Sequence, residues 1–465
     1  MISRWPSAAI RREAAALWLL AWPVLVGQVA TVAMGVVDVA MTGHASAEDL
    51  AAVSLGASIW SIVVVTIMGI LMAVNTLVAH KVGAGSTAQI PHLVRQALWK
   101  SLFIGILAWG FALAATLVFD HIGLEPAVAA MATRFVQVIS LGLPPFAAYR
   151  ALYGYSASLG QTKPTMIIAV GALLYNIVVN WLLVFGNGGL PKLGATGCAI
   201  ATASGLWLML FAMILWIRRA PAYRETYPFS QWEWPDWTSI RAMLKLGLPI
   251  GITYFAEVTA FASIALLVAR FGVVSVAAHQ IALNFSSLVF MVPLSFGIAL
   301  VTRVGQTLGA GDPVQARFVA WVGVGMALLY ALGSATLIAL LRGPIAAAYT
   351  SDLAVQALAA ELLLFAAIFQ LSDATQVATS CAIRGYKVTR RPMFIHLAAF
   401  WGLSLPLGCV LGFGLGWLPF VPAQAMQVQG FWVGLVVGLT VAALLLSVLL
   451  HYLSRQHLPA VGEHD

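Results

Sequence analysis

The chain has 465 residues, of which 61% are hydrophobic and only 9% charged. No water-soluble fold of that length hides so much apolar surface, so the composition excludes a soluble globular domain and makes lipid the solvent. The net charge of +8 is scattered over short loops without a dense basic patch, which fits an anionic membrane face and argues against a nucleic-acid partner.

Arg4, Arg11 and Arg12 precede a long apolar run. It exceeds a signal-peptide core and has no clear small-residue cleavage site, so a retained helix is expected. From there, apolar windows of roughly 20 residues recur along the chain. They predict an all-α integral membrane protein of twelve spans, starting near Ala14, Leu50, Val94, Ala127, Pro164, Ala195, Arg241, Ser275, Ala316, Asp352, Met393 and Gln429. The breaks are short and carry Gly, Pro or charge, as in GAGST (83–87), LGQTKPT (159–165) and GAGDP (309–313).

Span one holds an acid, Asp38, inside AMGVVDVAMTG (33–43). Gln28, Thr31, Gly35, Asp38 and Thr42 recur at three- and four-residue steps, which makes one polar stripe on a helix. Span five offers Asn176 and Asn180 at i,i+4. The inner loop from about Arg218 to Arg241 contains Trp232, Trp234 and Trp237, whose indoles favour the headgroup layer, so this loop is expected to lie along the membrane. Span seven carries Glu257, one turn after Thr253. Gln280, Asn284 and Ser287 share a face of span eight, as Gln370, Asp373 and Gln376 do in span ten; Glu361 is nearer the outer end of span ten. Cys198, Cys381 and Cys409 have neither disulfide nor metal spacing.

Each intramembrane acid costs roughly 2.5–3.5 kcal/mol at the bilayer centre. Asp38, Glu257 and Asp373 should therefore face a bundle interior or a wet cavity. For the Asn and Gln stripes two readings stand, a ligand site or hydrogen bonds that merely join helices. Amides would join helices at lower cost than an acid, which favours a working role for the three carboxylates. A carboxylate held out of water can exchange a proton, a sodium ion and a cationic guest for one another. Pro23 and Pro249 precede two of the acids; each removes a helix hydrogen bond, and a static kink and a protonation-linked bend are both open.

Placing both termini in the cytoplasm leaves Arg134, Lys192, Arg270 and Arg342 outside and the other twenty of the 24 Lys and Arg inside, the positive-inside bias. The halves also match at an offset of 226: Pro23 with Pro249 (249 − 23), Ala51-Ala52 with Ala277-Ala278, and Gly83-Ala84-Gly85 with Gly309-Ala310-Gly311. Six spans per half is an even number. Two bundles over 1–217 and 241–465 are thus expected to be related by a pseudo-twofold axis along the membrane normal, joined by a linker over 218–240.

MGVVDVAMTG, DLAAVSLGASIW (49–60), Glu257 after LPIG (248–251) and SDATQV…IRGYK (372–387) together resemble the multidrug and toxic compound extrusion (MATE) family, most closely its NorM-type bacterial branch. The resemblance spans almost the whole chain. It implies a V-shaped pair of six-helix bundles in a bacterial inner membrane. It also implies a monomer that exports cationic, often aromatic drugs by alternating access in exchange for Na⁺ or H⁺. It makes Glu257 and Asp373 the coupling-cation pair, a candidate Na⁺ site, and Asp38 with Asn176 and Asn180 a second site. An aromatic facing the cation falls at Phe290. Phe290 and Phe369 stand where some members have tyrosine, which argues against a cation geometry that needs a phenol oxygen at those positions.

The nearest rival is a flippase for lipid-linked oligosaccharides, which would require basic residues at the span centres; none is obvious. A membrane enzyme is disfavoured by the absence of HExxH, GxSxG and acid-rich metal motifs, and isolated His80, His92 and His279 read as interface or packing residues. Single acids in kinked bundles do not make the symmetric selectivity ring of a channel.

Overall fold

The computed structural model describes residues 6–121, 123, 125–414 and 425–456; Arg4, counted among the inner-side charges, lies outside them. Among the described residues, twelve helices are long and apolar enough to cross a membrane, and there is no strand. They are α1 (Ser7–Ala45), α2 (Ala47–Gly83), α3 (Thr87–Phe119), α4 (Pro126–Ser158), α5 (Lys163–Phe185), α6 (Gly194–Arg219), α7 (Trp237–Phe271), α8 (Val273–Gly309), α9 (Pro313–Tyr349), α10 (Leu353–Gly385), α11 (Arg390–Phe413) and α12 (Val428–Gln456). The starts follow the hydropathy windows, with the largest displacements at Ser7 (expected Ala14) and Thr87 (expected Val94). Helices of up to 39 residues reach about 58 Å at ~1.5 Å per residue, so several run well past a hydrocarbon core of about 30 Å.

Local chemistry sets the ends. Ser46 caps α2, its Oγ accepting from Asp49 N at 3.0 Å. Asp312 caps α9 by accepting from Gln315 N at 2.8 Å, with Pro313 in the first turn, and Asp352 caps α10. The repeated Gly-Ala-Gly segments build one turn twice. Ala84 N donates to His80 O and Gly85 N to Val82 O, as Ala310 N does to Gln306 O and Gly311 N to Leu308 O. Gly85 and Gly311 sit at φ +64° and +76°, a left-handed conformation that glycine adopts without a Cβ penalty.

The chain forms two compact units, Trp22–Gly251 and Met1–Ala21 with Ile252–Asp465. These units differ from the expected halves at both seams. The chain changes unit inside α1, just before Pro23, and inside α7, just after Pro249. A boundary drawn from loops cannot find a seam that falls within a continuous helix, because packing decides it.

In the Trp22–Gly251 unit the core is built from residues such as Val74, Val78, Ile90, Leu143 and Leu152. The linker after α6 is half core and half surface. Tyr223 is fully buried, its hydroxyl 2.6 Å from Ser156 Oγ, and Tyr155 OH lies 2.7 Å from Thr226 Oγ1. Trp232, Trp234 and Trp237 are then 74%, 76% and 64% exposed, the display an interfacial segment requires. This second part is pinned to α3. Glu233 pairs with Arg95 and accepts from or shares a proton with His92 Nδ1 at 2.6 Å. Trp99 Nε1 donates to Glu233 O at 2.9 Å, and Gln96 both donates to Trp234 O and accepts from Asp236 N. The hydrogen bond from Arg95 holds the Glu233 carboxyl below the usual glutamate range, with His92 adding to it. A depressed value means the contribution is complete above the ordinary glutamate range and is lost as pH falls through the lowered folded-state value. Glu233→Gln should weaken the clasp by about 1 kcal/mol or less, as partly exposed pairs do. The expected readout is faster protease cleavage between Pro228 and Asp236 at neutral pH, approached by the parent protein only in acid; equal cleavage of both at every pH would contradict it.

The other unit has two large apolar clusters and a small one of Val301, Val377 and Cys381. One large cluster groups Phe369, Phe400, Phe431 and Trp432; the other joins Leu17 and Ala21 of α1 to Phe296, Leu300, Leu446 and Leu450. The first part of α1 is held there by a fork, Arg303 Nε and Nη2 donating to the two Glu13 carboxylate oxygens at 2.9 and 2.8 Å. Lys100, Arg150 and Arg384, expected as inner-side charges, are instead 1%, 9% and 6% exposed within α3, α4 and α10. Of these, Arg384 is next to the last residue of α10 and Arg150 lies in the last third of α4, while Lys100 sits further inside α3.

Candidate functional site

In the Trp22–Gly251 unit the acid of α1 meets α5 and α6. Asp38 is 9% exposed, Asn176 1% and Asn180 0%. Asp38 Oδ1 accepts from Asn180 Nδ2 at 2.7 Å and Asn176 Nδ2 at 3.1 Å, and Oδ2 accepts from Thr202 Oγ1 at 2.8 Å. Asn180 Nδ2 also donates to Asn176 Oδ1 at 3.1 Å. The i,i+4 spacing of the two amides on α5 places both on one face, one turn apart. Three donors on one carboxylate suit its charged form. Asn180 Oδ1 is buried without a hydrogen bond, an acceptor left over for a small cation or a water. Gln28 is not among the partners of Asp38, and Thr31 Oγ1 donates to its own helix at Gly27 O, so the stripe on α1 does not converge as a whole. Thr202, which the sequence did not single out, lies in the small-residue run ATASG of α6; its only signal is a hydroxyl amid alanines at helix-packing spacing.

In the other unit Glu257 (α7) lines a cavity of about 10 Å³ with Thr253, Tyr254, Phe290, Gln376, Ser380 and Arg384, among others. That is room for roughly one water or one bare ion and far too little for a drug-sized guest. Arg384 and Asp373 are both close enough to Glu257 to interact with it electrostatically, although Asp373 is 4% exposed and not part of the lining. Arg384 Nη1 donates to Tyr254 OH at 3.3 Å, and its guanidinium lies 5.2 Å from the Tyr254 ring centroid. His396 Nδ1 donates to Pro392 O at 2.6 Å, so its Nε2 accepts from Gln376 Nε2. That leaves Gln376 Oε1, with Ser380 Oγ, buried and without a hydrogen bond. Gly297 permits this closeness of α8 and α10, since a Cβ there would sit 2.7 Å from Cys381 Sγ. A π-helical stretch follows in α11 (Ala398–Ser404) and sets Trp401 Nε1 on Ala256 O at 3.0 Å, beside Glu257.

Phe290 lines the same cavity as Glu257. Phe369 does not; it packs edge-on against Phe261 and Trp432 at 6.2 and 6.0 Å. Gln280 and Asn284 are exposed, Asn284 Nδ2 donating to Gln280 O. Pro23 and Pro249 lie within α1 and α7. Glu361 is exposed and accepts from Gln429 at 3.4 Å. His279 is a packing residue, its Nδ1 accepting from Trp432 Nε1 at 3.2 Å. A phenol does stand in the Glu257 cavity, but from Tyr254, one turn earlier on the same helix. Arg384, counted by sequence as a loop base, and His396 were missed as members of this cluster. Among the described residues no three His, Cys, Asp or Glu gather as a metal centre would require, so a cation here would share neutral oxygens.

The family model described as MatE matches residues 23–182 and again 249–410, two matches whose starts differ by 226 (249 − 23), the offset of the internal repeat. The chain is 45% identical over 451 residues to the multidrug resistance protein PmpM of Pseudomonas aeruginosa, covering 96% of this chain and 93% of that one. It is 42% identical over 458 residues to a probable multidrug resistance protein NorM of Chromobacterium violaceum, covering 98% and 97%. In fold it matches the eukaryotic MATE transporter AtDTX14 with a TM-score of 0.85 at 21% identity, over 96% of this chain and 98% of that chain. Two copies of one helical repeat, a buried intramembrane acid in each unit, and near full-length relatives at these identities lead to one assignment: the chain belongs to the MATE family of multi-pass membrane transporters.

Proposed function

We propose that the protein is a multidrug efflux antiporter of a bacterial inner membrane, with both termini in the cytoplasm, acting as a monomer. It exports cationic, amphipathic or aromatic compounds by alternating access in exchange for Na⁺ or H⁺. The relatives support multidrug export, since the names of PmpM and NorM are those of multidrug resistance proteins. The observation that carries the coupling is the Glu257 cavity. It pairs an intramembrane carboxylate with two unsatisfied oxygens, Gln376 Oε1 and Ser380 Oγ, in a space fit for one small ion or water. A bulky guest cannot enter it, so guest and ion are linked through charge. When the carboxylate takes a proton or Na⁺, the acid no longer favours a cationic guest in the same unit; when it gives the ion up, the guest replaces the missing charge. Oxygen ligands of this hard kind suit Na⁺, and a water in the same place would serve H⁺. A flippase is not favoured, because buried Lys100 and Arg384 are packed among helices rather than displayed to a large anionic cargo.

The test is transport by proteoliposomes under an imposed Na⁺ or pH gradient. Uptake of ethidium should follow one of the two gradients, and indifference to both would reject antiport.

Asp38 allows a cleaner probe of charge. In Asp38→Asn the amide oxygen can keep the Asn180 and Asn176 hydrogen bonds, and the new NH₂ can donate to Thr202 Oγ1. Fold stability should change by about 1 kcal/mol or less, while transport falls. Thermal unfolding and efflux measured on the same variant check this; unimpaired efflux removes Asp38 from the coupling.

A further inference from the structure

Between the first half of α3 and the end of α6, where the linker folds back, a cleft of about 500 Å³ is lined by Arg95, Leu98, Trp99, Leu102, Arg218 and Glu233, with the linker residues Phe229 and Trp232 between. We propose that this cleft is a binding site for an anionic phospholipid, its phosphate held by Arg218 and its acyl chain laid along α3. The proposal is independent of the drug and of the coupling ion.

Charge comes first. Two guanidinium groups face one carboxylate, and that carboxylate is already committed to Arg95 and His92. Arg218 has no carboxylate within ion-pair distance among the described residues and lies over the Phe229 ring at 5.8 Å. Arg95 Nε is buried without a hydrogen bond. The cleft therefore keeps one unbalanced positive charge and an idle donor beside it. A planar guanidinium is the side chain best matched to phosphate oxygens.

Shape then separates a lipid from a free anion. Leu98 and Leu102 follow Arg95 on α3 at one and two turns, and Ile106 continues the row. Leu102 and Ile106 are exposed, so the row leads from the charged end into the apolar surface of the span. Aromatic rings wall the charged end: Trp99 meets Trp232 edge-on at 5.5 Å, and Phe103 stacks on Trp237 at 5.4 Å. Indoles at that level mark the headgroup region of a bilayer. Inorganic phosphate would use the arginine and leave the leucine row bare; a phospholipid uses both. The Arg95–Glu233 clasp forms part of the wall, so an occupied cleft would also hold the linker closed on α3.

Native mass spectrometry of the full chain in detergent, titrated with phosphatidylglycerol or phosphatidylcholine of matched chains, tests this. Phosphatidylglycerol should be retained in preference, and Arg218→Gln should weaken its retention about fivefold, the effect of one basic residue near an anionic lipid. Arg218→Lys keeps the charge and loses the planar fork, so it should fall between the two; it also guards against a variant that fails to fold. Equal retention of the two lipids, unchanged retention in Arg218→Gln, or displacement of phosphatidylglycerol by millimolar inorganic phosphate would each overturn the proposal.

Discussion

Glu257→Gln should reduce ethidium efflux from loaded cells to background and remove its dependence on any ion gradient, with the helices intact. Glutamine matches the side chain in size, so the cavity of about 10 Å³ keeps its shape. What is lost is a carboxylate able to carry a negative charge within electrostatic reach of Arg384. Opposite charges about 4 Å apart at an effective dielectric near 20 are worth about 4 kcal/mol, on the order of a thousandfold in cation affinity. Without that charge, the positive Arg384 beside the cavity repels the ion the site should hold. Asp373→Asn should do less, about tenfold, because Asp373 lies outside the lining and acts through Glu257. Gradient-driven efflux at parent levels in both variants would reject the coupling role of the pair.

Arg303→Ala should destabilise the protein by about 3 kcal/mol. Glu13 has only 7% of its side chain exposed, and Arg303 meets it with two donors. Removing the arginine strands a carboxylate among apolar residues, which costs more than the pair itself contributes. The guanidinium is 27% exposed, which keeps the figure at the low end of the range for buried pairs. The consequence reaches function, because this fork is what ties the start of α1 to the unit of Ile252–Asp465 while Asp38, on the same helix, belongs to the other unit. Replacing both residues, as Glu13→Gln with Arg303→Gln, should recover part of the loss, since no charge is then left alone. Thermal unfolding followed by tryptophan emission gives the comparison; a midpoint unchanged by Arg303→Ala would show the fork to be idle.

Most of the helix frame was legible because lipid imposes a length and an apolar composition on every span, and both are written in local sequence. The same holds for Asp38, Glu257 and Asp373, since an acid in such a window is conspicuous wherever it lies in the fold. The repeat was legible at its turns, because Gly85 and Gly311 answer to the same backbone requirement. What surrounds the acids was legible only where helical spacing gathers the residues. Asn176 and Asn180 share a face of one helix and could be paired by counting. Thr202 and His396 approach from other helices and could not.

By itself the sequence determined the solvent, the number of spans and the acids, since each depends on residues near one another in the chain, and the repeat, since it needs only the comparison of such local segments. Only the tertiary structure decided that Arg384 enters the Glu257 cluster, that Phe369 packs into an aromatic core away from it, and that Glu13 meets Arg303. It also put the seams between units inside α1 and α7. Those outcomes depend on which helix faces sit against each other. A helix carries its apolar and polar faces in its own sequence, but not the identity of the neighbour that will cover them.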